Sequence, residues 1–160
     1  MGQASHDVVI LGTGASGLVA AIAAADAGAD VAIFEKAYLI GGTSAMSGGI
    51  VWMPNNHLQA DAGITDSRRM ALDYLDSLSL GQIDSDMAAM FVDNGPEAIR
   101  FLDEQTPCSF HLLSEYPDYH PEHPGGLPNG GRSIDNGLFC FDDLGAVSYT
   151  HLTLPTTPYV

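Results

Sequence analysis

Residues 7–36 read DVVILGTGASGLVAAIAAADAGADVAIFEK, and this stretch decides the fold. Its first part, Asp7 to Leu11, is a short run rich in β-branched side chains, which is typical of a buried strand. Glycines at positions 12, 14 and 17 follow in GxGxxG spacing, and an alanine-rich helical pattern covers Ala15 to Ala27. This order predicts an α/β protein that opens with a Rossmann-like βαβ unit.

Each glycine of the turn has its own predicted role. Gly12 lets the chain turn sharply out of the strand, Gly14 lets the backbone approach a pyrophosphate, and Gly17 removes a Cβ atom that would hold the helix off the sheet. Ala15 and Ser16 begin the helix, where backbone N–H groups lack helical acceptors and bind phosphate readily. The pattern therefore predicts a dinucleotide site at the start of this helix.

The end of the βαβ unit carries the acidic residue that such sites use. Gly28 is predicted to end the helix, and Val31 to Phe34 are predicted to form a second buried strand. Glu35 and Lys36 come next. A carboxylate at position 35 is placed to accept both ribose hydroxyls of an adenosine. The alternative is a buried βαβ unit with a glycine turn and no ligand.

A run of small residues after Lys36 indicates which dinucleotide binds. An NAD domain usually continues into another helix and strand, whereas this chain continues AYLIGGTSAMSGGIVWMPNN. Small side chains and available backbone N–H groups suit the ribityl chain and ring of a flavin. The residues assigned to the flavin are Gly41, Gly42, Thr43, Ser44, Ser47, Gly48 and Gly49. A flexible linker is the alternative, but residues 50–53 resume an apolar run that a solvated linker would not carry.

These motifs carry a resemblance to a known family. With NGPEAIRFL at 94–102, PDY at 117–119 and GRS at 131–133, the chain resembles the flavoproteins that include fumarate reductase and succinate dehydrogenase subunits and the 3-ketosteroid 1-dehydrogenases. The steroid branch is the more similar one. The resemblance covers about residues 6–145 and implies that residues 1–146 are the N-terminal part of an FAD-binding domain. Later strands, beyond this chain, would complete its sheet.

The resemblance also implies a chemistry. Members of the family are FAD-dependent oxidoreductases that act on CH–CH bonds, here of a steroid-like substrate or another alkene or ketone, with a separate electron acceptor. Relatives that bind flavin covalently place a histidine six positions before the second glycine pair, and Gly42 stands there, which implies non-covalent FAD. Two alternatives stay open: reduction of an alkene dicarboxylate as in fumarate reductase, and a fragment that binds FAD without catalysis.

Between Thr106 and Asn136 periodicity disappears and Pro, Gly and His accumulate, which predicts a long loop. By resemblance, Tyr119 of its PDY segment approaches the substrate as a catalytic residue, and His120 stands where the family often has a second tyrosine. Without the resemblance, Tyr119 is interpreted as a half-buried aromatic anchor. Arg132 is interpreted either as a partner for an anionic group or as an arginine that pins the loop through backbone carbonyls.

The loop histidines are interpreted as polar residues and not as metal ligands. His120 and His123 are separated by Pro121 and lie on no predicted helix that would aim them together, and structural zinc needs four converging ligands. We therefore predict no metal site.

Three helices are predicted after Asn56. The first covers 67–80 with a cap at Thr65 or Asp66, and the second covers 86–91 with a cap at Asp84 or Ser85. The third runs from Pro96, a good first-turn residue, to Leu102.

Composition excludes several classes of function. The chain has 20 acidic and 5 basic residues and a formal net charge of −15, which disfavours nucleic acid and anionic lipid surfaces. No apolar stretch predicts a membrane span, and MGQASHD predicts no secretory signal. Two cysteines, Cys108 and Cys140, make no disulfide framework. These features predict a cytoplasmic protein.

The last residues differ in character from the rest. Residues 144–160 carry no charge and end VSYTHLTLPTTPYV. This segment resembles translated adapter sequence, and we expect residues 147–160 to be a non-native tail. An edge strand with alternating side chains is the alternative.

Overall fold

The computed structural model describes residues 5–145. They divide into two compact units. One comprises the residues up to Gly49 together with those from Phe139 onward, and the other is Ile50–Leu138. The predicted domain boundary at residue 146 and the predicted tail at 147–160 lie outside the described residues.

The first unit contains the predicted βαβ arrangement. Strand β1 (Val8–Leu11) and strand β2 (Val31–Phe34) pair in parallel, and helix α1 (Ala15–Asp26) connects them. Gly28 adopts φ +87° just after the helix, as expected of a residue that ends one. The α/β prediction is confirmed, and this connection places the glycine turn and Glu35 at the same edge of the strand pair.

Burial of these strands differs from the prediction. Leu11 is 81% exposed and Phe34 is 58% exposed, so β2 is not the buried strand that its composition indicates. Parallel strands are buried when other elements cover both faces of their sheet. Among residues 5–145, two strands and one helix form this layer, and they leave apolar side chains accessible.

The second unit contains a small antiparallel sheet. Strand β3 (Val51–Trp52), strand β4 (His111–Leu112) and strand β5 (Ser133–Asp135) pair with β5 in the centre. The prediction of a continuous loop over 106–136 is therefore wrong at two places. Strands of two or three residues are too short to show an alternating pattern.

Three helices accompany this sheet. They are α2 (Leu58–Asp61), α3 (Arg68–Ser79) and α4 (Ser85–Gln105). The cap of α3 is Ser67, whose hydroxyl accepts the Met70 N–H at 3.2 Å, and not the predicted Thr65 or Asp66. Asp84 caps α4 as predicted. No helix within residues 5–145 is long and apolar enough to cross a membrane.

The helices predicted at 86–91 and 96–102 are one helix, with Pro96 inside it. A proline at this place removes one helical hydrogen bond, so the prediction took it as a helix start. Val92 before the proline and Ile99 and Leu102 after it are all buried. Packing of this shared apolar face outweighs the lost hydrogen bond, because tertiary packing supplies most helical stability in proteins.

A buried ion-pair network joins three segments of the second unit. The fully buried Arg132 donates from Nε and Nη2 to both carboxylate oxygens of Asp66, at 2.8 and 2.6 Å, and from Nη1 to Asp118 at 2.9 Å. The rings of Trp52 and Tyr74 lie 5.4 and 5.6 Å from the guanidinium carbon. Arg132 therefore holds the loop in place, as one of its two interpretations predicted. Its partners are side-chain carboxylates and not backbone carbonyls.

Further donors satisfy the two carboxylates. Trp52 Nε1 donates to Asp118 at 2.7 Å, and the Leu127 N–H donates to it at 2.9 Å. Asp66 accepts the Ser67 N–H at 2.8 Å. Burial by itself raises the pKa of Asp66, but the hydrogen bonds and charge of Arg132 outweigh it and lower the pKa below its usual value. Both carboxylates thus have the partners that a buried ion pair requires.

Replacing Arg132 by methionine should strongly destabilise the second unit. The variant leaves two buried carboxylates without their cation, and such a loss costs about 3–5 kcal/mol. Urea unfolding measures the change in the free energy of unfolding. Arg69→Met is the matched control, since that side chain is 90% exposed and pairs with Asp73 at 3.6 Å, and it should change stability by less than about 0.5 kcal/mol. Equal stability of the two variants would contradict the structural role of the network.

Candidate functional site

Thr13 connects the parts of the predicted cofactor site in the first unit. Its backbone N–H and its hydroxyl donate to Glu35 Oε2 at 2.9 and 2.5 Å, and the same hydroxyl accepts the Gly41 N–H at 2.9 Å. One buried side chain thus ties the glycine turn, the acid after β2 and the small-residue run together. The sequence analysis did not assign Thr13. The signal is a hydroxyl residue between the first two glycines of the motif.

Glu35 is held as an ionised carboxylate. The Thr13 hydroxyl is the largest cause, and backbone N–H groups, including Ala37 at 2.8 Å, add to it; together they lower the pKa of Glu35 from 4.5 to about 2. Stability that depends on this charge is complete above pH 4.5 and is lost as the pH falls through about 2. Glu35 therefore presents a negative charge at the carboxyl end of β2 across the physiological range.

The glycine turn has the close approaches predicted for it. Gly12 adopts φ +98°. A Cβ atom on Gly17 would lie 2.4 Å from the Gly12 carbonyl oxygen, which confirms that this position needs glycine. A Cβ atom on Gly42 would lie 3.4 Å from Gly14 Cα, so the small-residue run packs directly on the turn.

The N-terminus of α1 suits a phosphate group. Gly14 is the N-cap residue and has no side chain to cap the helix, and Ser16 in the first turn is exposed. Ser44 Oγ accepts the Ala15 N–H at 3.1 Å. Backbone donors at a helix start beside a tight glycine turn are the arrangement that a dinucleotide pyrophosphate needs. These residues fit the predicted cofactor.

The remaining assigned residues lie around this core. Lys36 lines a cavity of about 470 Å³ with Leu11, Gly12, Phe34 and Glu35. Thr43 precedes a short 3-10 helix, Ser44–Met46, and the Ser47 hydroxyl donates to the Ser44 carbonyl at 2.7 Å.

The end of the run, Gly48 and Gly49, is joined to this turn by one hydrogen bond, from the Gly49 N–H to Ser47 Oγ at 3.1 Å. Hydrogen bonds and close contacts thus join Gly41, Gly42 and Ser44 directly to the glycine turn at residues 12–17. The hydrogen bonds of residues 47–49 described above are to Ser44 and to one another.

A second cavity, of about 320 Å³, lies in the other unit and is mainly apolar. Its lining residues are Ile50, Trp52, Tyr74, Leu75, Leu78, Tyr116, Pro117, Asp118, Tyr119, His120 and Ser133. Asp118 is occupied by Arg132, so aromatic and aliphatic groups dominate the surface offered to a ligand. A cavity of this size is at the lower end of the range for small-molecule sites, about 300–1,000 Å³.

Two phenols lie together at this cavity. The rings of Tyr116 and Tyr119 meet edge to face with centroids 6.5 Å apart. The neighbouring Tyr119 side chain raises the pKa of Tyr116, so the Tyr116 hydroxyl keeps its proton. Tyr119 is 85% exposed, so in the described part of the chain its ring is not the half-buried anchor of the alternative interpretation. The sequence analysis did not assign Tyr116.

The backbone on both sides of Tyr119 is fixed. Asp118 precedes it and is buried in the ion-pair network, and His120 follows it and donates its N–H to the Tyr74 hydroxyl at 3.2 Å. Burial raises the pKa of Tyr74, which keeps that hydroxyl protonated. The fold thus holds an exposed phenol on an anchored segment.

The loop histidines differ from their predicted arrangement. His120 and His123 have ring centroids 5.3 Å apart, and Glu122 joins them in a cluster whose ligand-capable atoms lie within 4.8 Å of one another. The expectation that nothing aims the two rings together is wrong, because a turn does so and no helix is needed.

Comparisons with known proteins identify the family to which the chain is similar. A family model described as FAD binding domain matches residues 7–159. 4-Oxocyclohexanecarboxylate 2-dehydrogenase of Sinomonas cyclohexanicum is 41% identical over 142 residues, which are 89% of this chain and 25% of that protein. 3-Oxosteroid 1-dehydrogenase of Mycobacterium tuberculosis is 41% identical over 140 residues, which are 88% and 25% of the two chains.

Solved structures give the same result. The 3-ketosteroid Δ1-dehydrogenase from Sterolibacterium denitrificans, in complex with 1,4-androstadiene-3,17-dione, matches with a TM-score of 0.84 and 35% identity over 92% of this chain and 26% of that one. A flavocytochrome c3 fumarate reductase matches with a TM-score of 0.63 at 21% identity, over 81% and 21% of the chains, and shows the fold alone. The chain spans about a quarter of the length of the curated relatives it matches.

Thr13→Val should raise the pKa of Glu35 from about 2 toward 4.5, because it removes the hydroxyl that contributes most to the lowering. Carbon-detected NMR titration of the Glu35 carboxyl measures this shift directly. Thr43→Val is the control, since that hydroxyl does not bond Glu35, and it should leave the pKa near 2. A pKa that stays near 2 in Thr13→Val would show that the backbone donors suffice.

Proposed function

This chain belongs to the FAD-binding domain family, and from that premise we propose that the complete protein is an FAD-dependent oxidoreductase that dehydrogenates a CH–CH bond beside a ketone. The observation that carries this proposal is the apolar cavity of about 320 Å³ with the paired phenols Tyr116 and Tyr119. Because the chain spans about a quarter of its relatives, the activity is that of the whole protein.

The residues that would hold FAD are those of the first unit. The N-terminus of α1 and the turn at Gly12, Gly14 and Gly17 would bind the pyrophosphate, and Glu35 would accept the adenosine ribose hydroxyls. Glu35 accepts three protein hydrogen bonds and remains ionised, and an ionised carboxylate with an acceptor position to spare binds hydroxyls strongly. When bound, FAD supplies the hydride acceptor of the reaction.

Glu35→Ala should lower FAD affinity about tenfold or more in the complete protein. The change removes charge-assisted hydrogen bonds worth on the order of 1.5–3 kcal/mol. Fluorescence titration with FAD measures the affinity, and Asp26→Ala at the far end of α1 should leave it unchanged.

Acid precipitation of the complex should leave the yellow colour in the supernatant, since we propose non-covalent FAD. Unchanged affinity would make Glu35 a purely structural residue, and a yellow pellet would contradict the non-covalent linkage.

The substrate we propose is a ketone with an apolar skeleton, of the 3-ketosteroid type. One relative is named for 3-oxosteroids and another for 4-oxocyclohexanecarboxylate, and both names place a ketone beside the bond that loses hydrogen. The cavity matches the apolar part of such a ligand through Trp52, Leu75 and Leu78. A separate electron acceptor would complete the cycle.

Reduction of an alkene dicarboxylate is less well supported. Recognition of two carboxylates needs cations that face the ligand. Arg132 adjoins the cavity through Ser133, but Asp66 and Asp118 already occupy its donors. The fumarate reductase match supports the shared fold and not this activity.

We propose that Tyr119 contacts the substrate and takes part in proton removal while the hydride leaves from the adjacent carbon. A phenol has an ordinary pKa near 10 and needs help to act as a base or a relay at neutral pH. We propose that Tyr116 gives that help, because its ring lies 6.5 Å from that of Tyr119 and its hydroxyl keeps a proton that it can donate to the Tyr119 oxygen. Tyr116 is thus a positioning residue that acts through Tyr119.

Tyr119→Phe should lower kcat by roughly 10² with little change in KM, since it removes one hydroxyl and keeps the ring. Steady-state kinetics of the complete protein on a 3-ketosteroid measure both constants. Tyr116→Phe should lower kcat less than Tyr119→Phe does and leave KM unchanged, because it removes only the hydroxyl beside the Tyr119 phenol. Tyr38→Phe, at a fully exposed tyrosine of the first unit, is the control and should match wild type. Wild-type kinetics in both active-site variants would remove the catalytic assignment.

A further inference from the structure

A rigid turn in the second unit gathers three metal-ligating side chains. His120, Glu122 and His123 offer ligand atoms that all lie within 4.8 Å of one another. His120 Nδ1 lies 3.2 Å from a Glu122 carboxylate oxygen, and the two imidazole rings lie 5.3 Å apart. Neither the fold nor the proposed oxidoreductase activity requires this cluster.

The turn is held in place by its own backbone. The His123 N–H donates to the His120 carbonyl at 3.0 Å, and the Gly126 N–H donates to the His123 carbonyl at 2.9 Å. Pro121 and Pro124 fix two further φ angles within it. The ligating residues therefore lie on a segment that does not need to be ordered by a bound ion.

Contacts with α3 also hold the turn at residues 120–126 in place. The His120 N–H donates to the Tyr74 hydroxyl at 3.2 Å, and His123 Nδ1 lies 3.2 Å from Ser77 Oγ. Gly125 sits so close to α3 that a Cβ atom would lie 2.0 Å from the Met70 carbonyl oxygen. A hydrogen bond at one ring nitrogen is the usual support of a metal-bound histidine, and the contact with Ser77 gives His123 such a bond.

The charge and exposure of the cluster suit a cation from solution. The Glu122 carboxylate supplies one negative charge to the cluster at neutral pH. The side chains of His120 and Glu122 are 56% and 67% exposed. The formal net charge of −15 also attracts cations to the protein surface.

We propose that His120, Glu122 and His123 form a binding site for a divalent transition-metal ion of the zinc type. Two imidazoles and one carboxylate are the ligand set that such ions favour, and three protein ligands leave a fourth position for water. The ion would contact His120 Nδ1 and a Glu122 carboxylate oxygen, which lie 3.2 Å apart. Since His120 also lines the apolar cavity, a bound ion would lie at the edge of that cavity.

Isothermal titration of the full chain, without a histidine tag, with ZnCl₂ tests the proposal. We expect saturation at one ion per chain. His120→Gln, Glu122→Gln and His123→Gln should each weaken binding at least about tenfold, since loss of even an outer-shell partner costs 10- to 100-fold. His6→Gln and His111→Gln remove histidines outside the cluster and should bind as wild type.

Visible absorption of the Co²⁺ complex supplies a second measurement on the unaltered chain. A four-coordinate site of this kind should give bands that ZnCl₂ abolishes by displacement. Circular dichroism of Glu122→Gln, an exposed side chain, checks that this variant keeps the fold. Non-saturable zinc binding in wild type, or wild-type affinity in all three cluster variants, would overturn the site without affecting the proposed oxidoreductase function.

Discussion

The buried ion pair between Arg132 and the carboxylates of Asp66 and Asp118 is the constraint on which the second unit depends. It joins the segment before α3, the loop at 117–119 and the start of β5, which are distant in sequence. A buried charge is tolerated only when its partners satisfy it, and here every named carboxylate oxygen has a donor. The cost of separating these groups therefore holds the loop in one arrangement.

That arrangement determines what the loop presents. Arg132 holds the Asp118 side chain, and the Tyr74 hydroxyl accepts the His120 N–H. Tyr119 lies between these two residues, so its backbone is anchored while its phenol is exposed. The same anchoring positions the turn that follows, with its two histidines and Glu122. A single structural network thus supports both the proposed substrate contact and the proposed metal site.

In the first unit, the Thr13 hydroxyl joins segments that are distant in sequence. Thr13 donates to Glu35 and accepts from Gly41, so the dinucleotide motif and the small-residue run are joined by hydrogen bonds in addition to the chain. Neutralising Glu35 would weaken the two bonds that Thr13 donates to it, because they would lose the charge of their acceptor. The low pKa of Glu35 is the electrostatic consequence of the same contacts.

Local pattern was sufficient for the βαβ unit. The strand composition, the glycine spacing and Gly28 predicted β1, α1 and β2 to within about a residue, because those signals reflect backbone conformations that neighbouring residues impose. The same pattern predicted a dinucleotide site, and the small-residue run after Lys36 with the further motifs predicted FAD and the family, which the family match confirms.

Tertiary structure alone decided the partners of side chains distant in sequence. The sequence pattern did not predict that Arg132 pairs with Asp66 and Asp118. Nor did it predict that the buried face of α4 lets the helix continue through Pro96. Likewise, the fold of the loop brings Tyr116 beside Tyr119 and His120 beside His123, and the sequence pattern predicted neither pair. The sequence by itself determined conformations set by near neighbours, whereas burial and long-range electrostatics, which depend on the whole fold, determined which groups meet.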